Sequence, residues 1–133
     1  MAGVSTRWEQ IEDEHAAILD ALNRVRVIAL QCHSSARVLI PEFLGLVRKF
    51  EEHFANEERV MAETGFPDSA AHHRHHQVLL IRLLSICEHM NPDATVDSDE
   101  LRLTFQSLLD DAIGVDIPLK EHLERKGAAA SRP

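Results

Sequence analysis

Apolar residues recur along this chain at alternating steps of three and four, the spacing that lines one face of a helix. The first such stretch runs roughly from Arg7 to Gln31, with Trp8, Ile11, His15, Ile18, Leu22, Val25 and Ala29 on one stripe. A loop around His33, Ser34, Ser35 and Ala36 follows. The second helix is expected to start near Pro41, since proline fits a first helical turn. Its stripe is Phe43, Leu46, Phe50, His53, Glu57 and Val60, and it stops at Gly65 with Pro67 just beyond. The third helix follows Asp68, a candidate N-cap, and carries His72, His76, Leu79, Leu83, Ile86 and Met90 as far as Asn91-Pro92. The fourth begins at Asp97, where Glu100 three residues on completes a capping box. Its stripe is Leu101, Phe105, Leu108, Ala112, Val115 and Leu119, with Asp111 and Asp116 alongside. No strand-like alternation interrupts the pattern. Four helices with short connections predict an all-α, up-down-up-down antiparallel four-helix bundle over residues 1–126. Residues 127–133, small and polar, read as a disordered tail.

Composition sharpens this picture in several ways. A chain of 133 residues is one domain, and its scarcity of Gly, Pro and aromatics favours helix. A net charge of -8 without a basic stripe excludes nucleic acid as a natural partner. The N-terminus has no charged-then-apolar leader, and no apolar run reaches membrane-spanning length, so a monomeric cytoplasmic protein is the expectation, with an unidentified protein partner left open. Cys32 and Cys87 follow no C-x-x-C spacing and read as free thiols. The chain has no Tyr, which removes tyrosyl-radical chemistry.

The unusual feature is where the ionisable residues fall. Among nine histidines, His15, His53, His72 and His76 lie on the apolar stripes, as does Glu57, with Asp111 and Asp116 beside theirs. Burying such groups unpaired is costly. Their heights also agree. His15 is near the start of the first helix, His53 and Glu57 near the end of the second, His72 and His76 at the start of the third, and the two aspartates near the end of the fourth. In an antiparallel bundle these levels coincide, so seven side chains converge at one end. Pairs at i and i+4, His53/Glu57 and His72/His76, put two donors on one face. Imidazole with carboxylate suits iron, manganese or zinc. Four histidines and three carboxylates are too many donors for one ion and suit two, with a carboxylate bridging them. His73, His75 and Glu58 read as surface or flanking groups. His122 reads as surface, and Leu22, Phe50, Phe54, Leu79 and Leu108 as plain core.

At this point the residues resemble a known family. His53-Phe54-Ala55-Asn56-Glu57-Glu58, then Met61, Phe66-Pro67, His72 and His76, is similar to the H-F-x-x-E-E-x-x-M...[YF]-P-x-x-x-x-H-x-x-x-H core of bacterial hemerythrins. Ile11-Glu12-Asp13-Glu14-His15 resembles that family's first-helix D-x-x-H element, and the likeness runs roughly from Trp8 to Leu123. The resemblance implies a non-haem centre of two iron ions with an oxo or hydroxo bridge, manganese or zinc being the alternatives. Glu57 and Asp116 would bridge the metals. His15 and His53 would hold the iron that stays open to ligand, and His72 and His76 the other. The implied function is binding of dioxygen, or another small diatomic or peroxide ligand, for carriage, storage or sensing. The alternatives are a di-iron enzyme acting as an oxidase or on peroxide or nitric oxide, or a metal-binding module without oxygen chemistry. Two positions depart from the family: Asp111 stands where it has a histidine, and Ser107 where it has an aromatic. Asp111 either serves as a third carboxylate ligand or points away and leaves that place to water.

Overall fold

The computed structural model describes residues 4–33, 35–95 and 97–130. Five helical segments follow one another: α1 (Val4–Gln31), α2 (Ala36–Thr64), α3 (Ser69–Glu88), α4 (Ser98–Val115) and α5 (Ile117–Ala130). The last two are one helix broken at a single residue, Asp116, so the architecture is an all-α antiparallel four-helix bundle. Among the described residues there is no strand beyond an isolated bridge between Ser35 and Thr95.

The helix ends follow local chemistry. Asp97 caps α4, its side chain accepting from the Glu100 amide at 3.0 Å, as the capping spacing predicts. α2 ends at Gly65, which takes a left-handed φ of 68° and lets the Phe66 amide donate back to the Met61 carbonyl at 3.0 Å. Several boundaries differ from the sequence reading: α1 starts at Val4, ahead of Arg7, and α3 stops at Glu88, short of Asn91-Pro92. α2 begins at Ala36, five residues before Pro41, because the Ala36 amide is tied to the Ala94 carbonyl across the bridge, and Pro41 sits inside the helix. α5 runs on through Gly127 to Ala130, inside the stretch expected to be a tail, and residues 131–133 lie outside the described residues.

The break at Asp116 has an evident cause. Pro118 has no amide hydrogen to give to the carbonyl one turn back, and its ring crowds that turn. The ladder resumes with the Lys120 amide donating to the Asp116 carbonyl at 2.9 Å. Asp116 keeps near-helical dihedrals, φ -79° and ψ -10°, so its side chain is still placed by the end of α4.

The predicted stripes of α1, α2 and α4 are buried except at Trp8, Leu101 and Val115, which are partly covered. In α3 the inner line runs Leu79, Leu83, Cys87, in steps of four, leaving Ile86 and Met90 only partly covered. The apolar core forms two clusters. The larger holds Ile18, Leu22, Phe43, Phe50, Phe54, Leu79, Leu83, Phe105 and Leu109, among others. The smaller holds Ile11, Val60, Met61, Phe66, Leu119 and Leu123. Between them each helix contributes polar side chains, so the bundle has a polar layer enclosed by two apolar ones. His122, read as a surface residue, belongs to the closure of the smaller end. It is buried, and its Nε2 lies 3.0 Å from the carbonyl of Thr64, one of the last carbonyls of α2, which lack helical partners.

Phe50 is fully buried in the larger cluster, with its ring centroid 5.9 Å from that of Phe54. Replacing Phe50 by Ala is expected to destabilise the fold by about 3–5 kcal/mol, read from chemical denaturation. A change below about 1 kcal/mol would mean the larger cluster is not packed as described.

Candidate metal centre

Six of the seven sequence-picked side chains meet in the polar layer. α1 supplies His15, α2 supplies His53 and Glu57, α3 supplies His72 and His76, and Asp116 sits at the α4–α5 break. All six are buried, Glu57 and Asp116 completely. Their donor atoms form two overlapping groups, His15/His53/Glu57/Asp116 and Glu57/His72/His76/Asp116, each with all its atoms within 4.8 Å of one another. The two carboxylates are common to both groups.

The contacts explain the sharing. Asp116 reaches outward with both oxygens: Oδ2 lies 3.2 Å from His15 Nε2 and Oδ1 lies 2.8 Å from His72 Nε2. Glu57 Oε1 lies 3.2 Å from His53 Nε2 and 3.4 Å from His76 Nε2. Each carboxylate thus stands between an imidazole of one group and an imidazole of the other. Yet most of these atoms have no hydrogen-bond partner: His53 Nε2, His72 Nε2, His76 Nε2, both Glu57 oxygens and Asp116 Oδ1 are buried and unsatisfied. A buried polar atom without a partner costs about 1–3 kcal/mol. A cluster of them, all facing one small space, is the pattern that a cation resolves, and the donor set suits first-row metals.

The outer faces of the rings are held as well. His53 Nδ1 is 2.8 Å from Glu14 Oε1, and the other Glu14 oxygen accepts from the Asn56 side-chain amide. A carboxylate on Nδ1 leaves Nε2 as the free lone pair, pointing inward. His76 stacks on Phe54, with centroids 3.9 Å apart and planes 6° from parallel. Its Nδ1 lies 3.8 Å from Glu58 Oε2, and Glu58 is also paired with His73. Phe66 meets the His72 ring edge-on at 6.2 Å. The sequence reading gave Glu14 and Asn56 no role and took Phe54 as plain core. Glu14 precedes a candidate ligand directly, but adjacency in a helix separates two side chains by about 100°, so no spacing rule pointed to it.

Asp111 is not brought to this layer. It is exposed, and it lines a groove of about 420 Å³ between α3 and α4 with Arg82, Glu100 and Ser107. The reason is helical geometry: five residues turn a helix by about 500°, which leaves Asp111 about 140° round from Asp116. The residue one turn before Asp116 on the inner face is Ala112, which is buried. Asp110 is exposed too.

Burial and neighbouring charges set the protonation of Glu57, Asp116, His76 and His53. Burial pushes the Glu57 carboxyl up to about 7, the neighbouring Asp116 charge acting in the same direction and His53 against it. Burial also works to raise Asp116, but contacts from His15 and His72 outweigh it and hold that carboxyl below the usual range. Burial and the neighbouring His72 push His76 down to about 3. At His53 burial acts to lower the value, and the carboxylates of Glu57 and Glu14 overcome it, for a net rise.

Glu14→Ala removes the brace on His53 and is expected to weaken metal binding about 10–100-fold, with Glu14→Gln retaining part of it, as read by competition with a chelator. Unchanged affinity would mean that His53 needs no brace. The pH dependence of the chelator-treated protein follows from His76 and Glu57. His76 is neutral when folded above about 3 and protonates near 6.5 when unfolded, so its contribution to stability is lost as pH falls through that window. Glu57 holds a proton when folded up to about 7 but releases it near 4.5 when unfolded, so its contribution is lost as pH rises. The two oppose between 4.5 and 6.5, and below 4.5 only His76 of the pair still titrates in the folded chain. The urea midpoint is therefore expected to vary little across the overlap and to drop once pH falls below 4.5. A midpoint that rises there would contradict the assignment.

No family model and no solved structure matches the chain. A protein from Stenotrophomonas maltophilia (strain R551-3) named Bacteriohemerythrin is 33% identical over 93 residues. That span is 69% of this chain and 58% of the relative's length. The chain belongs to the bacterial hemerythrin-like family.

Proposed function

We propose that this protein holds two iron ions in the polar layer and binds dioxygen, or a similarly small ligand, there. The observation that carries this reading is the pair of overlapping donor groups that share Glu57 and Asp116. One ion cannot use four imidazoles and two carboxylates arranged as two sets, whereas two ions can share the carboxylates between them. Bound ferrous iron would supply the electrons and the open coordination that dioxygen binding needs. Manganese and zinc fit the same donors, so iron is the choice of the family reading rather than of the ligand types alone.

The chain's own residues have separate tasks in this reading. His15 and His53 would hold one metal and His72 and His76 the other, with Glu57 and Asp116 available to both. Glu14 fixes the His53 ring, and Phe54 fixes the plane of His76. Ile18, Phe50 and Phe54 on one side, with Ile11, Met61 and Phe66 on the other, keep bulk water from the layer. A cleft of about 110 Å³ between α1 and α2, lined by Glu14, Ala17, Lys49, Glu52 and Asn56, reaches His53 and gives a small ligand an approach from solvent. Among the described residues no helix is long and apolar enough to cross a membrane.

Metal release should follow acid, since each imidazole must be neutral and each carboxylate ionised to bind. His53→Ala and Glu57→Ala are each expected to lose two-metal binding, measured as iron per chain after anaerobic loading. If both variants keep two irons, the ligands are elsewhere. The function itself is tested by visible spectra of the reduced, iron-loaded protein before air, after air and after deoxygenation. A band that appears and then disappears supports reversible oxygen binding. A band that stays, or decays to an unreactive ferric form, would count against reversible binding and favour the di-iron enzyme reading.

A further inference from the structure

Building on the two-metal reading above, we propose that the two metal positions have the same protein donor set, and that both therefore take up exogenous small ligands. Each group consists of two imidazoles plus the shared Glu57 and Asp116. One half has His15 and His53, the other His72 and His76, and among the described residues no seventh donor joins either group. A six-coordinate first-row ion in such a half receives four protein donors at most, so positions stay open on both ions.

The fourth helix decides this. It is the element that would break the equivalence, because it passes the layer with one side chain only. Its buried residues near that level are Leu108, Leu109, Ala112 and Asp116, and the first three have no donor atom in their side chains. Its other carboxylates there, Asp110 and Asp111, are exposed on the outer face. The Asp111 side lies against Arg82 and Ser107 in the α3–α4 groove. His122 does not fill the gap either, since its Nε2 is engaged with the Thr64 carbonyl at 3.0 Å. The ligands that fit are small anions or diatomic molecules, because the surrounding rings of Phe54 and Phe66 leave the polar layer narrow. Phe54 stacks on His76 with centroids 3.9 Å apart, and Phe66 stands edge-on to His72 at 6.2 Å.

Mössbauer spectroscopy of the full chain loaded anaerobically with ⁵⁷Fe tests this, with azide as the probe ligand. The expected result is two irons per chain with one isomer shift for all of the iron. Azide should then alter the whole signal. Two equal populations with different isomer shifts, or an azide response confined to half of the iron, would overturn equal donor sets. Asp111→Ala separates a hidden carboxylate ligand from a surface residue. It is expected to leave iron content and isomer shift unchanged, and a changed shift or a lost iron in this variant would overturn the proposal. Fewer than two irons in the wild-type chain would instead fail the two-metal reading on which the equivalence rests. The iron count tells that failure from the other.

Discussion

A layer of six buried ionisable side chains, closed between two apolar clusters, is the constraint on which the rest of this structure depends. A hydrophobic bundle gains nothing from four imidazoles and two carboxylates in its interior. Left to themselves they carry unsatisfied nitrogen and oxygen atoms, each destabilising by about 1–3 kcal/mol. The chain nevertheless delivers them from every helix to one level: His15 from α1, His53 and Glu57 from α2, His72 and His76 from α3, and Asp116 from the α4–α5 break. The cost is local and the rest of the core is ordinary, which marks the layer as a site rather than a packing fault.

The surrounding residues make sense as supports of that layer. Glu14, itself held by Asn56, braces the outside of His53, and Glu58 stands 3.8 Å from the outer nitrogen of His76. Phe54 serves both worlds: it belongs to the larger apolar cluster and stacks on a layer histidine. Pro118 ends the regular ladder just after Asp116, and His122 then ties α5 to the last carbonyls of α2.

Much of this was legible in the sequence because two periodicities carry it. The alternation of three and four fixed the inner face of α1, α2 and α4, and the i, i+4 pairs put His53/Glu57 and His72/His76 on that face. Antiparallel topology then supplied the common height. Asp111 shows where a rough height misleads. It lies about 7.5 Å along the helix from Asp116 and about 140° round from it, which puts it on the outer face more than a turn away. Glu14 and His122 were not legible, since each acts on a residue of another helix, Glu14 on His53 and His122 on the Thr64 carbonyl. Contacts between helices depend on rotation and offset that no single stripe records. The early start of α2 was hidden for a similar reason: the Ala36 amide is satisfied by Ala94, far along the chain.

The most direct test of the central claim is anomalous X-ray diffraction at the iron edge from crystals of the iron-loaded chain. The two-metal reading predicts two strong peaks inside the layer, each within bonding distance of both Glu57 and Asp116, one beside His15 and His53 and the other beside His72 and His76. A single peak, or peaks at the surface near His73 and Glu58, would contradict it.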